Sequence, residues 1–269
     1  MLTDLYHRIS QSVCVINVFL EGEKISEGSG FCFSHQGEVL TAAHVITGRL
    51  PISEKDYSDP NQRIFCKFPG LPAREYKVFL CAIPIEVPEA FTEPIQIDLA
   101  ILLPAEAWPS APTPLPTTII PPQLGERVFM AGYSEELELP FKLERVLSRS
   151  FTGAKEFFKA MDEGYIADMT GPLIKQGFVG NARRIGASGK HAQVECEVLY
   201  IDNAMHSGAS GGPVVNGQGQ AVGIITQRAV TSASQREYPR LQVPSGCTVA
   251  LGLQPMAHVE RVTRGKSAA

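Results

Sequence analysis

The chain has 269 residues, of which 44% are hydrophobic and 19% charged, and its formal net charge at pH 7 is -4. That length buries a sizeable core without staples, and that composition belongs to a folded protein, which excludes a disordered one. The mildly acidic balance leaves no electrostatic footprint for nucleic acid or an anionic membrane, so neither is expected as a partner.

Residues 12–20 form the first apolar run and could pass for an export signal. Asn17 interrupts the run, Arg8 is the one basic charge beside it, and no small-x-small cleavage site follows. No stretch of about 18 apolar residues occurs elsewhere, so no transmembrane helix is expected. The six cysteines show no CxxC spacing and no clustering with histidine. They read as buried free thiols in a reducing, cytoplasmic compartment and not as a disulfide framework. Strand-length segments follow at 13–20, 30–34, 38–40, 63–68, 77–83 and 98–103, broken by Gly, Pro and Ser, with no helical period beyond two turns. The first half therefore reads as all-β, built from short antiparallel strands.

Two polar residues stand out there. His44 ends the run Leu40-Thr41-Ala42-Ala43-His44, whose small side chains leave an imidazole room to turn into a cleft; alone, it reads first as a satisfied core histidine. Asp98 heads the apolar run Asp98-Leu99-Ala100-Ile101-Leu102; alone, it is equally a strand-entry cap. Gly28-Ser29-Gly30-Phe31 followed by Thr41-Ala42-Ala43-His44-Val45 resembles the histidine motif of chymotrypsin-fold serine proteases, in the wording of the bacterial trypsin-like and HtrA-type branch. In that family the Asp-Leu-Ala-Ile-Leu wording carries the aspartate that orients the histidine, a role the resemblance gives to Asp98.

Between Pro104 and Pro122 lie seven prolines. They suit a semi-extended joint and no helix or central strand. Residues 123–133 then read as a turn and a strand, 155–169 as a short helix or ordered insertion, and 178–185 and 193–200 as strands. The segment Gly208-Ala209-Ser210-Gly211-Gly212-Pro213 follows. A serine among small residues can stand exposed on a sharp turn beside converging N–H groups, although such a turn can also be plain. It also fits the Gly-x-Ser-x-Gly elbow of α/β-hydrolases, whose aspartate and histidine come later in the chain. After Ser210 there is no aspartate, only Glu237 and Glu260 as acids and His258 as histidine, and the 59 residues that follow are too few for the further strand-helix units of that fold, which excludes it. Residues 221–227 read as a strand, 229–245 as a loop, 246–253 as a last strand, and 254–264 as a closing helix on which His258 is structural or solvent-facing.

The resemblance covers about residues 13–262. It implies two six-stranded antiparallel barrels with a short inserted helix and a C-terminal helix: one barrel over 1–107, a linker over 108–122, and a second barrel over 123–269. It also implies peptide hydrolysis by Ser210, His44 and Asp98, with an oxyanion hole from the N–H groups of Gly208 and Ser210 and no metal or cofactor. A polypeptide is the expected substrate, bound by Ala204, His206, Thr226, Gln227 and Arg228. The alternative is a peptide-binding or scaffolding module on the same fold that is latent or has little turnover, with an activating protein partner as one route out of latency. Val45 stands where secreted members carry a cysteine, Ala209 where trypsin carries its activating aspartate, and Ala204 where trypsin selects Lys or Arg. HtrA proteins continue into a PDZ domain, for which this chain is expected to stop too soon. His206 and Arg228 would make a cationic pocket suited to Glu or Asp, or else belong to surface loops.

Overall fold

Leu5, Ile9 and Ser12 are spaced to fall on one stripe of a helix, a pattern that the strand-centred reading passed over. In the computed structural model, which describes residues 2–85, 95–133, 152–165, 167–188, 193–233 and 241–257, helix α1 spans Leu2–Ser12 and buries those three residues. It packs on the second half of the chain. Tyr6 meets the ring of Phe129 edge-on at 5.7 Å, and Leu5 and Ile9 share a cluster with Val215 and Leu253.

Six strands follow: β1 (Val13–Leu20), β2 (Glu23–Cys32), β3 (Val39–Thr41), β4 (Gln62–Lys67), β5 (Arg74–Ile85) and β6 (Ile95–Pro104), with the short helix α2 (Ala43–Thr47) after β3. They close into a barrel in the order β1-β2-β3-β6-β5-β4, and every pairing is antiparallel. The two-residue period of a strand assigns the faces of β1. Cys14, Ile16 and Val18 point inward with Val39, Ile64 and Leu102. Val13 and Val15 face outward into a cluster shared with Phe129 and Ala131 of the second half. A strand buried on both sides is continuous apolar text, which is why β1 is easily mistaken for a signal sequence.

The second half contributes β7 (Arg127–Gly132), helix α3 (Ala154–Ala160), a wide turn (Met161–Tyr165), helix α4 (Ala167–Thr170), β8 (Leu173–Ser188), β9 (Gln193–Ile201), β10 (Pro213–Val215), β11 (Ala221–Ala233) and β12 (Leu241–Gly252). These strands close as β10-β11-β12-β9-β8-β7 around Val128, Met130, Leu199, Ile201, Val222 and Ile225. The double six-stranded barrel matches the expected fold class. The inserted helical segment is latched to the first barrel by Lys67, whose fully buried ammonium donates to Asp168 at 2.5 Å and to the Phe68 carbonyl at 2.8 Å. The proline-rich joint is laced to both barrels. The Leu115 N–H donates to the Cys32 carbonyl at 2.9 Å, and the Pro116 carbonyl accepts from Ala221 N–H at 2.7 Å.

Two expectations need correction. Within the expected loop over 229–245, the described residues 229–233 and 241–245 are strand: β11 runs on to Ala233, β12 begins at Leu241, and the two pair from Val230↔Pro244 to Ala233↔Leu241. This ribbon projects into solvent, with Val230 54% exposed, so it carries none of the apolar alternation by which a half-buried strand is recognised. The strand β10 was not anticipated, since three buried residues directly after the Ser210 turn give no periodic signal. Of the closing helix, the described residues show a turn at Gln254 and Pro255 and helical geometry at Met256 and Ala257. Residues 258–264, including His258, lie outside the described residues.

Candidate active site

The first barrel supplies an imidazole and a carboxylate through its strand register. β3 pairs with β6 up to Thr41↔Ala100 and then stops. Asp98, two residues further along β6 and on the same face as Ala100, therefore projects past the end of β3. The chain turns there into α2, placing His44 in its first turn, with Gly48 closing the helix through an N–H bond to the His44 carbonyl at 2.7 Å. Asp98 accepts twice: Oδ1 takes the His44 main-chain N–H at 2.9 Å, and Oδ2 takes the Nδ1–H at 2.7 Å. One carboxylate thus satisfies an orphan donor at the helix start and fixes the ring tautomer, leaving Nε2 able to accept a proton. The Asp98 side chain is 9% exposed and that of His44 27%, so the pair is shielded while the ring remains accessible.

The second barrel supplies the serine turn. Ala209 N–H donates to the His206 carbonyl at 3.3 Å, and Gly212 N–H donates to the Ala209 carbonyl at 3.0 Å. These two successive turns leave Ser210 at the apex, and Gly211 N–H anchors the turn to the Ile225 carbonyl at 2.7 Å. Gly208 has φ 86 and Gly211 φ 85, the left-handed region that favours glycine. A Cβ at Gly211 would also land on the carbonyl oxygen of Ser29 and the hydroxyl of Thr41. The N–H groups of Gly208 and Ser210 donate to no acceptor among the described residues.

Ser29, at the centre of the Gly-Ser-Gly motif, ties this turn to the first barrel. Its N–H donates to the Ser210 carbonyl at 2.8 Å. Its hydroxyl donates to the Gly208 carbonyl at 2.8 Å and accepts the Tyr133 N–H at 2.8 Å. The motif was legible in the sequence, but this positioning role was not, because all three partners lie more than a hundred residues away.

His44, Asp98, Gly208 and Ser210 line one cavity of about 380 Å³ between the barrels, together with Met205, His206, Thr226, Gln227 and Arg228. Four of the five expected substrate-binding residues are therefore brought together there. Ala204 does not line the cavity; its carbonyl instead accepts from the Lys175 ammonium at 2.7 Å, which also reaches His206 Nε2 at 2.9 Å. The β11–β12 register slips between Ile225 and Gln227, a bulge that re-aims Thr226. Ser210 Oγ donates to the Thr226 carbonyl at 3.2 Å. Pairing of β10 with β11 spans Ala221 to Ile224, and Ile225 bonds to Gly211 and Gly212, so beyond Ile225 no described strand other than β12 pairs with β11, whose edge there lies along the cavity.

Cys81 sits behind the histidine, with its thiol 3.8 Å from the Ala43 carbonyl. Burial, and after it the charge of Asp98, push that thiol up to about 12, so it stays protonated and is no rival nucleophile. Among the described residues no three His, Cys, Asp or Glu side chains group in a way that could hold a metal ion.

The family model for the trypsin-like peptidase domain matches residues 28–224, the span from the Gly-Ser-Gly motif to the strand beyond the serine. The active form of the Rv3671c protease from M. tuberculosis is similar at 18% identity over 94% of this chain and 81% of that one, with a TM-score of 0.52. The inactive form of the same protease gives 17% identity over 94% and 89%, also with a TM-score of 0.52. At these identities the likeness is one of fold. No curated protein sequence matches the chain. By the match over most of its length, the chain belongs to the trypsin-like peptidase domain family.

Proposed function

We propose that the protein is a serine endopeptidase in which Ser210 is the nucleophile, His44 the general base and then acid, and Asp98 the group that orients His44. The observation that carries this reading is the double contact of Asp98 with His44, at 2.9 and 2.7 Å, on the wall of the cavity that also exposes Ser210. A substrate strand adds to the open edge of β11 beyond Ile225, which brings its carbonyl carbon to Ser210 Oγ. His44 Nε2 takes the hydroxyl proton as the tetrahedral adduct forms and returns it to the leaving amine, and Asp98 stabilises the transient imidazolium. The N–H groups of Gly208 and Ser210 receive the oxyanion, and each such donor is worth about 3 kcal/mol in the transition state.

Latency, or a peptide-binding role with little turnover, is favoured by one observation: Ser210 Oγ donates to the Thr226 carbonyl. Attack requires rotation about χ1 from that rotamer toward His44, a step that a bound substrate or an activating partner would supply. A cytoplasmic, reducing location is supported by the six cysteines, all free and five of them buried. No helix among the described residues is long and apolar enough to cross a membrane.

The test is hydrolysis of an unfolded protein and of a quenched peptide library by the wild type and by Ser210→Ala. Cleavage by the wild type, reduced about 10⁴-fold or more in Ser210→Ala, is the expected result. Equal cleavage by both proteins would sink the assignment. Binding of the library with no cleavage, even after limited proteolysis, would leave the binding module in its place.

A further inference from the structure

Ser29 is fully buried, and its place is fixed from three sides. It pairs with Val15 of β1, its carbonyl accepts the Thr41 hydroxyl at 2.7 Å, and its own hydroxyl accepts the Tyr133 N–H at 2.8 Å. Directly paired residues share a face of the sheet, so the Ser29 hydroxyl leaves the first barrel on the side where Val15 meets the second. From there Ser29 reaches the serine turn on two carbonyls: its hydroxyl donates to that of Gly208 at 2.8 Å, and its N–H to that of Ser210 at 2.8 Å. The carbonyl between them, on Ala209, accepts the Gly212 N–H at 3.0 Å. A trans peptide carries its N–H opposite its carbonyl, so this last bond aims the Ser210 N–H the other way. The direction of the Gly208 N–H depends in addition on the torsions of Gly208 itself, at φ 86, a residue with no Cβ to restrict them. Holding the Gly208 carbonyl fixes the plane that Gly208 shares with Ala209, and with it one side of that pivot. Ala209 is packed against Gly132, where an added Cβ would lie 2.8 Å from the Ala209 Cα, so the turn has no room to shift toward β7.

We propose that Ser29 is a positioning residue for the oxyanion site: its hydroxyl, by holding the Gly208 carbonyl, keeps the Gly208 N–H aimed at the negative charge that develops on the substrate oxygen. The inference rests on the serine-endopeptidase reading and adds a side chain of the first barrel to a site otherwise built from main chain of the second. Without that hydroxyl the Gly208 carbonyl lacks its donor, and a peptide plane that turns to find another carries Gly208 out of line with the oxyanion. The loss falls on the transition state and hardly on substrate binding, because the donors fit the tetrahedral oxygen and not the planar carbonyl.

The test replaces the reacting oxygen. N-benzoylglycine methyl ester, which presents no side chain for selection, is compared with its thiono counterpart, in which sulfur stands in place of the carbonyl oxygen. Sulfur is larger and a weaker hydrogen-bond acceptor, so the preference in kcat/KM for the oxygen ester reports on the oxyanion donors. As a ratio taken on one sample, it does not depend on how much of the protein is folded. The wild type is expected to prefer the oxygen ester about 10²–10³-fold. Ser29→Ala should cut that preference about 10-fold or more, through kcat and with KM within about 2-fold of wild type. Ser29→Thr, which keeps a hydroxyl, should retain the preference to within about 3-fold. If Ser29→Ala does not fold, Ser29→Cys, whose thiol is a weak donor, should show the same fall. Slower hydrolysis of both esters with the preference intact would make Ser29 a purely structural residue and overturn the proposal alone. No hydrolysis of either ester by the wild type would overturn the endopeptidase reading and the proposal with it.

Discussion

Replacing Asp98 with asparagine exchanges one of two acceptors for a donor with almost no change in volume. Both carboxylate oxygens are in use, one on the His44 main-chain N–H at 2.9 Å and one on Nδ1–H at 2.7 Å. The main-chain donor is fixed at the start of α2 and has no other partner among the described residues, so the single amide oxygen turns to it. The amide NH₂ then faces Nδ1, and the ring responds by moving its proton to Nε2, where it can no longer accept one from Ser210. Restoring the productive tautomer sets two donors against each other. That forfeits a charge-assisted bond and strands a buried donor, for about 3–6 kcal/mol in all. At about 1.4 kcal/mol per tenfold, this is roughly 10²–10⁴ in rate. Loss of the charge that stabilises the imidazolium places the expected kcat at the lower end, about 10⁴ below wild type. Steady-state kinetics on a cleaved peptide should show that fall with KM nearly unchanged, and ¹⁵N spectra of His44 should show the altered tautomer. A kcat within about tenfold of wild type, or an unchanged tautomer, would refute the reasoning.

Two further outcomes follow from the same geometry. Ser29→Ala leaves the Gly208 carbonyl and the Tyr133 N–H without their partner, so urea unfolding should show a loss of about 2–4 kcal/mol. A loss under about 1 kcal/mol would mean that Ser29 does not hold the serine turn. The hydrogen-bonded Arg63 guanidinium holds the Glu75 carboxyl below its usual range. A lowered folded value contributes stability that is present above the ordinary carboxylate range and lost as pH falls through the lowered one. Glu75→Gln should therefore cost at most about 0.5 kcal/mol at pH 7, because the pair is largely exposed, and nothing near pH 2. A cost that grows toward acid pH would contradict this sign.

What could be read from the sequence was what is local. Thr41-Ala42-Ala43-His44, the run opening at Asp98 and the Ser210 turn each occupy a few consecutive residues within a strand or next to one, where residue type reports backbone geometry directly. The all-β class followed from short apolar segments broken by Gly, Pro and Ser, whereas the two closed barrels came from the resemblance, because β1 and β6 are buried on both faces and carry no alternation. What escaped the reading depends on register and exposure. Lys175 sits in ordinary polar text, and only the β7–β8–β9 pairing brings it under Ala204 and His206. Ser29 looked like one small residue among glycines, although its hydroxyl joins the two barrels. The ribbon of β11 and β12 beyond Arg228 is wet on its surface, so it has no pattern to read, and α1 betrays itself only by the spacing of Leu5, Ile9 and Ser12.

The central claim is that Ser210 is a nucleophile activated by His44, and covalent trapping tests it most directly. Wild-type protein incubated with a fluorophosphonate, digested and mapped by mass spectrometry, should carry the phosphonyl group on Ser210 and on no other residue. The reaction should be lost in His44→Ala. An adduct on a different side chain, or labelling of Ser210 at the same rate in His44→Ala, would contradict the account.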